Sequence, residues 1–374
     1  MTQPSAIVIG AGIVGLAHAR ALALRGFKVL VFERNPQAVG ASVRNFGMVW
    51  PIGQPDGTMY NRAFRSRIVW EEICVQAGLW HDKAGSLHLA TTPTEAEAMQ
   101  AIAAHYADSR GTQWLDKTQV VHHTKYARES AVLGALWSPQ EMMVEARDAI
   151  QGVAAFLHET YAVDFAFNTA ISKIEGHTVW SGSQSWEADL IFICSGTDFE
   201  TLYPAHFQSL ALTKCKLQMM RLQPLPANQK FGPALCGGLS LIHYKGFEVA
   251  PQLPALKQYY GEQYPQQVQW GIHVMACQSP DGGLTIGDTH EYGLHQDPFD
   301  KQFLNQMVLD YLGTFSTLNT LPVAQTWNGI YAKMTNGQSE HVDRVAENTY
   351  VVTGLGGAGM TLSFGLAEEL VFAL

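Results

Sequence analysis

The sequence predicts a chain of two interleaved parts, one α/β and doubly wound, the other α+β on a mostly antiparallel sheet. Three observations predict it. An apolar run, a glycine-rich turn, an Ala/Leu-rich helix and a second apolar run open the chain. Strand-like runs between Pro/Gly turns fill residues 211 to 326. An apolar strand, another glycine-rich turn and a helix close it. At 374 residues with 47% hydrophobic content, the chain exceeds one ordinary core and can fill two.

Ala6–Gly10 is a short continuous apolar run, as a parallel strand buried on both faces requires. Leu16–Arg25 reads as a helix stopped by Gly26, and Lys28–Phe32 as a second strand ending at Glu33. Gly40–Gly57 is rich in Gly, Pro, Ser and Asn and reads as loop. Thr58–Ala77 is an amphipathic helix and Ser86–Ala90 a strand. Thr94–Ser109 is helical, with Thr94 and Glu97 spaced as a capping box. Ala146–Thr160 is a further helix, and Ala188–Cys194 an apolar strand before Ser195-Gly196. Lys216–Leu222, Gln269–Cys277 and Leu284–Gly287 are strand-like, followed by a helix near Lys301–Phe315. Tyr350–Gly354 is a last strand before the closing helix.

The balance of 24 Lys+Arg against 33 Asp+Glu gives a formal charge of −9, which argues against nucleic-acid binding. The five cysteines are odd in number and widely spaced, so neither a disulfide framework nor a zinc site is expected. No signal peptide or membrane span is read, and a cytoplasmic location is expected.

Gly10-Ala11-Gly12-Ile13-Val14-Gly15 is a G-x-G-x-x-G turn between strand and helix. Gly10 permits the tight turn, Gly12 lets the backbone approach a pyrophosphate, and Gly15 lets the helix pack on the sheet. The free N–H groups of the helix start, with its positive dipole end, face the phosphates. Glu33 stands where ribose hydroxyls would be bound; adjacent Arg34 weakens its argument against a 2′-phosphate. The alternative is a ligand-free turn, but strand, helix, second strand and acid follow in the required order.

That motif serves FAD and NAD alike. Ser195-Gly196, after its apolar strand, and Gly354-Leu355-Gly356-Gly357-Ala358-Gly359-Met360, before the last helix, favour FAD. Glycines there would let backbone N–H groups and a helix start approach the flavin's pyrimidine edge and stabilise its reduced form. With Ser42-Val43-Arg44-Asn45 and Trp327-Asn328-Gly329, the chain resembles the D-amino acid oxidase/glycine oxidase/sarcosine oxidase (DAO) superfamily of FAD-dependent oxidoreductases nearly end to end. The runs Arg44–Pro51 and Gly287–Gly293 resemble more narrowly a branch linked to aminophosphonate breakdown.

The resemblance implies a Rossmann-type FAD-binding domain (1-80, 141-210 and 325-374) with an interleaved substrate domain (81-140 and 211-324). It implies oxidation of the C–N bond of a small amine, with the imine hydrolysed to a carbonyl compound and an amine or ammonia. Three departures matter. Tyr331 stands where many amino-acid-oxidising relatives carry an Arg for the substrate carboxylate, so a phosphonate held by Lys333, Tyr331 and Arg44 is expected instead. No Cys follows Cys277, so non-covalent FAD is expected. Thr285 stands where some relatives place a Lys that assists oxygen reduction, which leaves the electron acceptor, O2 or another, open.

The expected cofactor residues are Gly10, Gly12, Ile13, Val14, Gly15, Glu33, Arg34, Ser42, Arg44, Asn45, Ser195, Gly196, Gly356, Gly357, Gly359 and Met360. The expected catalytic residues are Tyr331, Lys333, Arg44, His273 and Tyr244. Tyr331 and Lys333 share a face if their segment is a strand. Trp50, His243 and Phe247 read equally as pocket wall and as core, and His122-His123 as surface. Asp288, His290 and Glu291 lie on one turn without a second ligand cluster, so no metal is expected. Glycine, sarcosine or D-amino acid oxidation, a non-catalytic FAD-binding protein and an NAD-dependent dehydrogenase are the competing functions; a homo-oligomer is allowed.

Overall fold

The computed structural model describes residues 3–227 and 229–374. Its first sheet has six strands in the order His341–Ala346, Thr349–Thr353, Leu190–Ile193, Ser5–Ile9, Lys28–Phe32, Asp164–Ala166. All neighbours pair in parallel except the edge strand His341–Ala346. Both faces are covered, which is why the four inner strands are mostly apolar rather than alternating. Ala6 and Val8 point into a core shared with helices Ile13–Leu24, Thr58–Ala77, Ala146–Tyr161 and Gly359–Phe372. Ile7 and Ile9 point into the opposite core, roofed by a three-stranded meander, Lys173–Glu175, Thr178–Ser181 and Gln184–Glu187.

The second sheet has nine strands and is antiparallel at every pairing but one, Ala234–Cys236 with Ser86–Ala90. Its longest members, Leu212–Leu222 and Val323–Met334, pair along their whole length. Helices Pro93–Arg110, Leu253–Gln263 and Gln302–Phe315 bury their apolar faces in the core of this sheet through Met99, Tyr106, Leu256, Leu312 and Phe315. The α/β and antiparallel halves match the expected fold class.

Buried charge fixes the first and last helices against each other. Glu368 takes Arg20 at 2.7 Å on one oxygen and Arg65 at 2.6 Å on the other. The two glycine turns at the starts of those helices are thereby held side by side.

Several expectations change. A boundary at 325 cuts through Val323–Met334, which belongs by its pairing to the antiparallel sheet. The capping box lies two residues earlier, at Thr92 and Glu95, because Pro93 occupies the first helical turn. Gln269–Cys277 is not one strand: a helix ends at Gln269, Gly271 turns with φ +56°, and the strand begins at Met275. His273 therefore precedes the strand. The meander was not anticipated; its turns sit at Gly176 and Gly182, both at positive φ. All five cysteines are free and buried. Among the described residues no helix is long and apolar enough to cross a membrane.

Candidate active site

A cavity of about 990 Å³ is lined from both sheets. That is the upper end of the range for small-molecule and cofactor sites. One wall is the first glycine turn. Gly10 has φ +108°, and a Cβ there would lie 2.4 Å from Cys194 O, so only glycine fits. Helix Ile13–Leu24 starts at Gly12 with no cap from Gly12 itself and no acid in its first turn. Ile13 N–H donates to Ser42 Oγ at 3.0 Å. The Glu33 carboxylate accepts from Ala11 N at 3.1 Å and from Asn35 N at 3.0 Å, which fixes it at the mouth of the turn. The Arg34 guanidinium pairs with Asp198.

The second glycine turn forms the adjoining wall. The Cβ position of Gly359 lies 3.7 Å from Ile13 Cγ2, so the two turns meet although nearly the whole chain separates them. Trp70 Nε1 donates to Met360 O at 2.8 Å, and Trp50 N to Thr361 Oγ1 at 3.0 Å, anchoring the last helix from its buried side. The end of strand Val323–Met334 leans on this turn through a bridge between Lys333 and Leu355. The Cβ positions of Gly356 and Gly357 lie 3.6 Å from Lys333 Cγ and Tyr331 Oη, respectively.

Beyond Tyr331 the cavity ends in aromatic and titratable side chains. Trp50, Phe46, Tyr244, Met275 and Tyr331 line it with His243, His273, Asp288 and His290. Ring centroids are 3.8 Å apart for His243 and His273, 4.8 Å for His243 and His290, and 5.2 Å for His273 and His290. His273, Asp288 and His290 are buried, whereas His243 opens onto cavity space. His273 Nε2 lies 3.2 Å from Asp288 Oδ1, and His290 Nδ1 lies 2.8 Å from Gly271 O. Burial pushes His273 well below the usual imidazole range and His290 to about 4. Burial also pushes Asp288 well above the usual carboxyl range. Lys333 Nζ lies 3.0 Å from Tyr292 Oη and makes no ion pair among the described residues.

Of the expected cofactor residues, all but Gly15 line this cavity. Gly15 serves packing instead: a Cβ there would lie 1.9 Å from Gly10 O. The Asn45 amide is spent on its own loop, donating to Ala41 O at 2.9 Å while its oxygen accepts from Gly47 N at 2.7 Å. Arg44 lies at the exposed rim, its Nη1 3.3 Å from Asn328 O. Tyr331, Lys333, His273 and Tyr244 all reach the cavity, and Tyr331 and Lys333 do share a strand face. Trp50 is both wall and core, Phe247 is core alone, and His122-His123 are exposed. Thr285 does not line the cavity; its hydroxyl accepts from Arg221 at 3.1 Å. The sequence alone weighed His243 as pocket wall or core and Asp288 and His290 as an unlikely metal turn, and named none of the three among the expected catalytic residues. No motif joins His243 to the other two, because the fold brings it to them from a segment some forty-five residues earlier.

A family model described as FAD dependent oxidoreductase (DAO) matches residues 5–373. The chain belongs to this family. Among curated relatives, the glycine oxidase of Geobacillus kaustophilus is 26% identical over 204 residues, covering 50% of this chain and 53% of that protein. The tRNA 5-methylaminomethyl-2-thiouridine biosynthesis bifunctional protein MnmC of Methylobacillus flagellatus is 27% identical over 246 residues. That match covers 63% of this chain and 37% of that protein. The chain thus spans about half, or less, of the length of these curated relatives. The crystal structure of the Geobacillus kaustophilus glycine oxidase superposes with a TM-score of 0.78 at 19% identity, covering 100% of this chain and 95% of that one, and shares the fold.

The cavity of this DAO-family flavoprotein fits FAD. Two glycine turns, each leading into a helix with no cap from its own N-cap side chain and no acid in its first turn, open onto one space, as a pyrophosphate and the electron-rich edge of a reduced flavin each require. Glu33, Ser42, Ser195 and Gly196 line the stretch around them.

Proposed function

We propose that this FAD-dependent oxidoreductase oxidises the C–N bond of a small anionic amine, a 2-aminoalkylphosphonate or its N-methyl form. Bound FAD supplies a hydride acceptor for the carbon next to nitrogen. The imine released takes up water and gives a carbonyl compound and an amine or ammonia. The protein's part is placement and desolvation. Trp50, Phe46, Tyr244 and Tyr331 surround the reacting carbon with apolar surface, which favours the neutral, reactive form of the amine. Tyr331 and Lys333, fixed on a strand that leans against the second glycine turn, set the distance between substrate and cofactor.

One observation carries the choice of an anionic substrate: Lys333 reaches the cavity with a tyrosine hydroxyl and no carboxylate as its partner among the described residues. The arginines lining the cavity are Arg34, paired with Asp198, and Arg44 at the rim. Neither stands beside Tyr331 in the manner of a guanidinium clamp for a carboxylate. The relationship to glycine oxidase supports the competing reading, oxidation of glycine, sarcosine or a D-amino acid. Non-covalent FAD and a cytoplasmic location fit cysteines that are all buried and unpaired.

The test is anaerobic bleaching of the bound flavin against amines that differ in their acidic group alone. Rapid bleaching by 2-aminoethylphosphonate with slow bleaching by β-alanine is expected. Faster bleaching by glycine or sarcosine would transfer the assignment to the competing reading.

A further inference from the structure

We propose that His243, His273 and His290, backed by Asp288 and edged by Lys333, form a clamp for an oxyanion that carries its own proton, and that this clamp selects a phosphonate over a carboxylate. The proposal deepens the amine reading above and rests on it for the identity of the natural substrate.

The cluster is built rather than incidental. The three residues arrive from three segments, and one ring nitrogen of each lies within 4.8 Å of the others. Gly271 makes room for His290: a Cβ there would lie 2.7 Å from the His290 Cβ. His290 N–H then donates to Trp270 O at 2.7 Å. His273 and Asp288 are joined by their backbones as well, Asp288 N–H donating to His273 O at 3.1 Å.

The hydrogen-bond partners assign the protons. A carbonyl oxygen only accepts, so His290 Nδ1 carries the hydrogen it gives to Gly271 O, and a neutral His290 offers a lone pair at Nε2. His273 Nε2 lies 3.2 Å from Asp288 Oδ1 without a hydrogen bond between them, and among the described residues the buried His273 Nδ1 has no partner. A neutral imidazole carries one hydrogen and one lone pair, and no hydrogen bond fixes the tautomer of His273, so its ring can act as donor or acceptor. The site therefore offers one fixed acceptor, one that switches, and the positive charge of Lys333.

That set does not suit a carboxylate, which accepts hydrogen bonds and gives none: the Nε2 lone pair of His290 would face a carboxylate oxygen. A phosphoryl oxyanion titrates near neutrality, with a second pKa of about 6 in phosphate esters, against about 4 for a carboxyl. As a monoanion it brings one P–OH to give to His290 and two oxygens to receive from His273 and Lys333. Burial supports this order of events, because it disfavours the charged form of His273 and His290 before the ligand arrives.

Other titratable groups face the cluster. Tyr244 follows His243, and Tyr331 and Lys333 come from the long strand. Tyr292 and Cys215 stand behind Tyr331, and His88 lies beyond His273. Burial raises the tyrosines and the thiol, and lowers His88 to about 3. Near neutrality the proton count of the site is therefore set by the three histidines, Asp288 and the ligand.

The experiment uses the FAD-loaded enzyme and two probes that cannot be oxidised, ethylphosphonate and propionate. Calorimetry in buffers of different ionisation enthalpy reads both affinity and protons exchanged. Ethylphosphonate is expected to bind at least about tenfold tighter than propionate, with affinity falling as pH rises and the monoanion is lost. His290→Asn, and separately His243→Asn should the first variant fold poorly, are expected to remove that preference while FAD content stays unchanged. Equal affinity for the two probes, tighter binding of the dianion, or a preference that survives both variants would overturn the proposal. So would one equivalent of transition metal retained by the purified enzyme. Preferential binding of ethylphosphonate without turnover of any amine would leave the clamp standing and remove the amine reading.

Discussion

Replacing Lys333 by Met removes one positive charge from the cavity and keeps the apolar stem that rests against Gly356. The magnitude follows from its surroundings. Lys333 is half-buried and donates to Tyr292 at 3.0 Å, with no competing carboxylate among the described residues. A charge-assisted hydrogen bond is worth about 1.5–3 kcal/mol net. A bare charge pair at 4 Å would reach about 4 kcal/mol at an effective dielectric constant near 20, and solvent at the half-open side lowers that figure. Lys333→Met should therefore lower kcat/KM for an anionic amine by roughly 10- to 150-fold, at about 1.4 kcal/mol per tenfold. The assay is steady-state turnover with 2-aminoethylphosphonate and with an uncharged amine of equal chain length, and flavin absorbance checks that the second glycine turn is undisturbed. An equal loss with both amines would show that Lys333 serves the scaffold and not the anion.

Gly10→Ala places a methyl 2.4 Å from Cys194 O at a positive φ, so it should cost about 1–3 kcal/mol of stability and weaken FAD binding at least tenfold; thermal unfolding and flavin titration read the two effects. Burial opposes ionisation of Glu368, but Arg65 and Arg20 outweigh it and hold the carboxyl below its usual range. Its contribution is complete above about pH 4.5 and is lost as pH falls through the lower folded value, so Glu368→Ala should cost about 3 kcal/mol in urea at pH 7 and much less at acid pH. A cost independent of pH would assign the loss to packing. His88 is buried with neither ring nitrogen bonded among the described residues, and burial lowers it to about 3. Below about pH 6.5 the unfolded chain gains a proton that the folded chain refuses, so stability should fall by about 1.4 kcal/mol per pH unit. His88→Leu should remove that slope, as urea midpoints at pH 7 and 5 would show; parallel slopes would mean that His88 is protonated in the fold.

What was legible in the sequence was local. Lys28–Phe32, Thr58–Ala77 and Leu284–Gly287 were read with their observed limits because periodicity and glycine stops are neighbouring signals. The convergence of the two glycine turns followed from one ligand needing both. The capping box was misplaced by two residues because Thr92 and Thr94 both stand three before a Glu, and Pro93 decides between them. Pairing is a different matter. Nothing in Val323–Met334 says which sheet it joins, and its partner Leu212–Leu222 lies about a hundred residues away. The meander strands are short and half-polar, so their alternation is lost among loops, and Gly176 and Gly182 were the available clues. His243, His273 and His290 carry no spacing rule; each is an ordinary histidine until the sheet aligns their segments.

The long strand has a consequence for how this enzyme can diversify. Tyr331 and Lys333 line the cavity from one strand whose backbone stays locked to Leu212–Leu222. Substitutions at those two positions would exchange the chemical lettering of the chamber without shifting the ruler on which it is written. New selectivities can therefore be drafted there one side chain at a time, with the nucleotide seat left untouched.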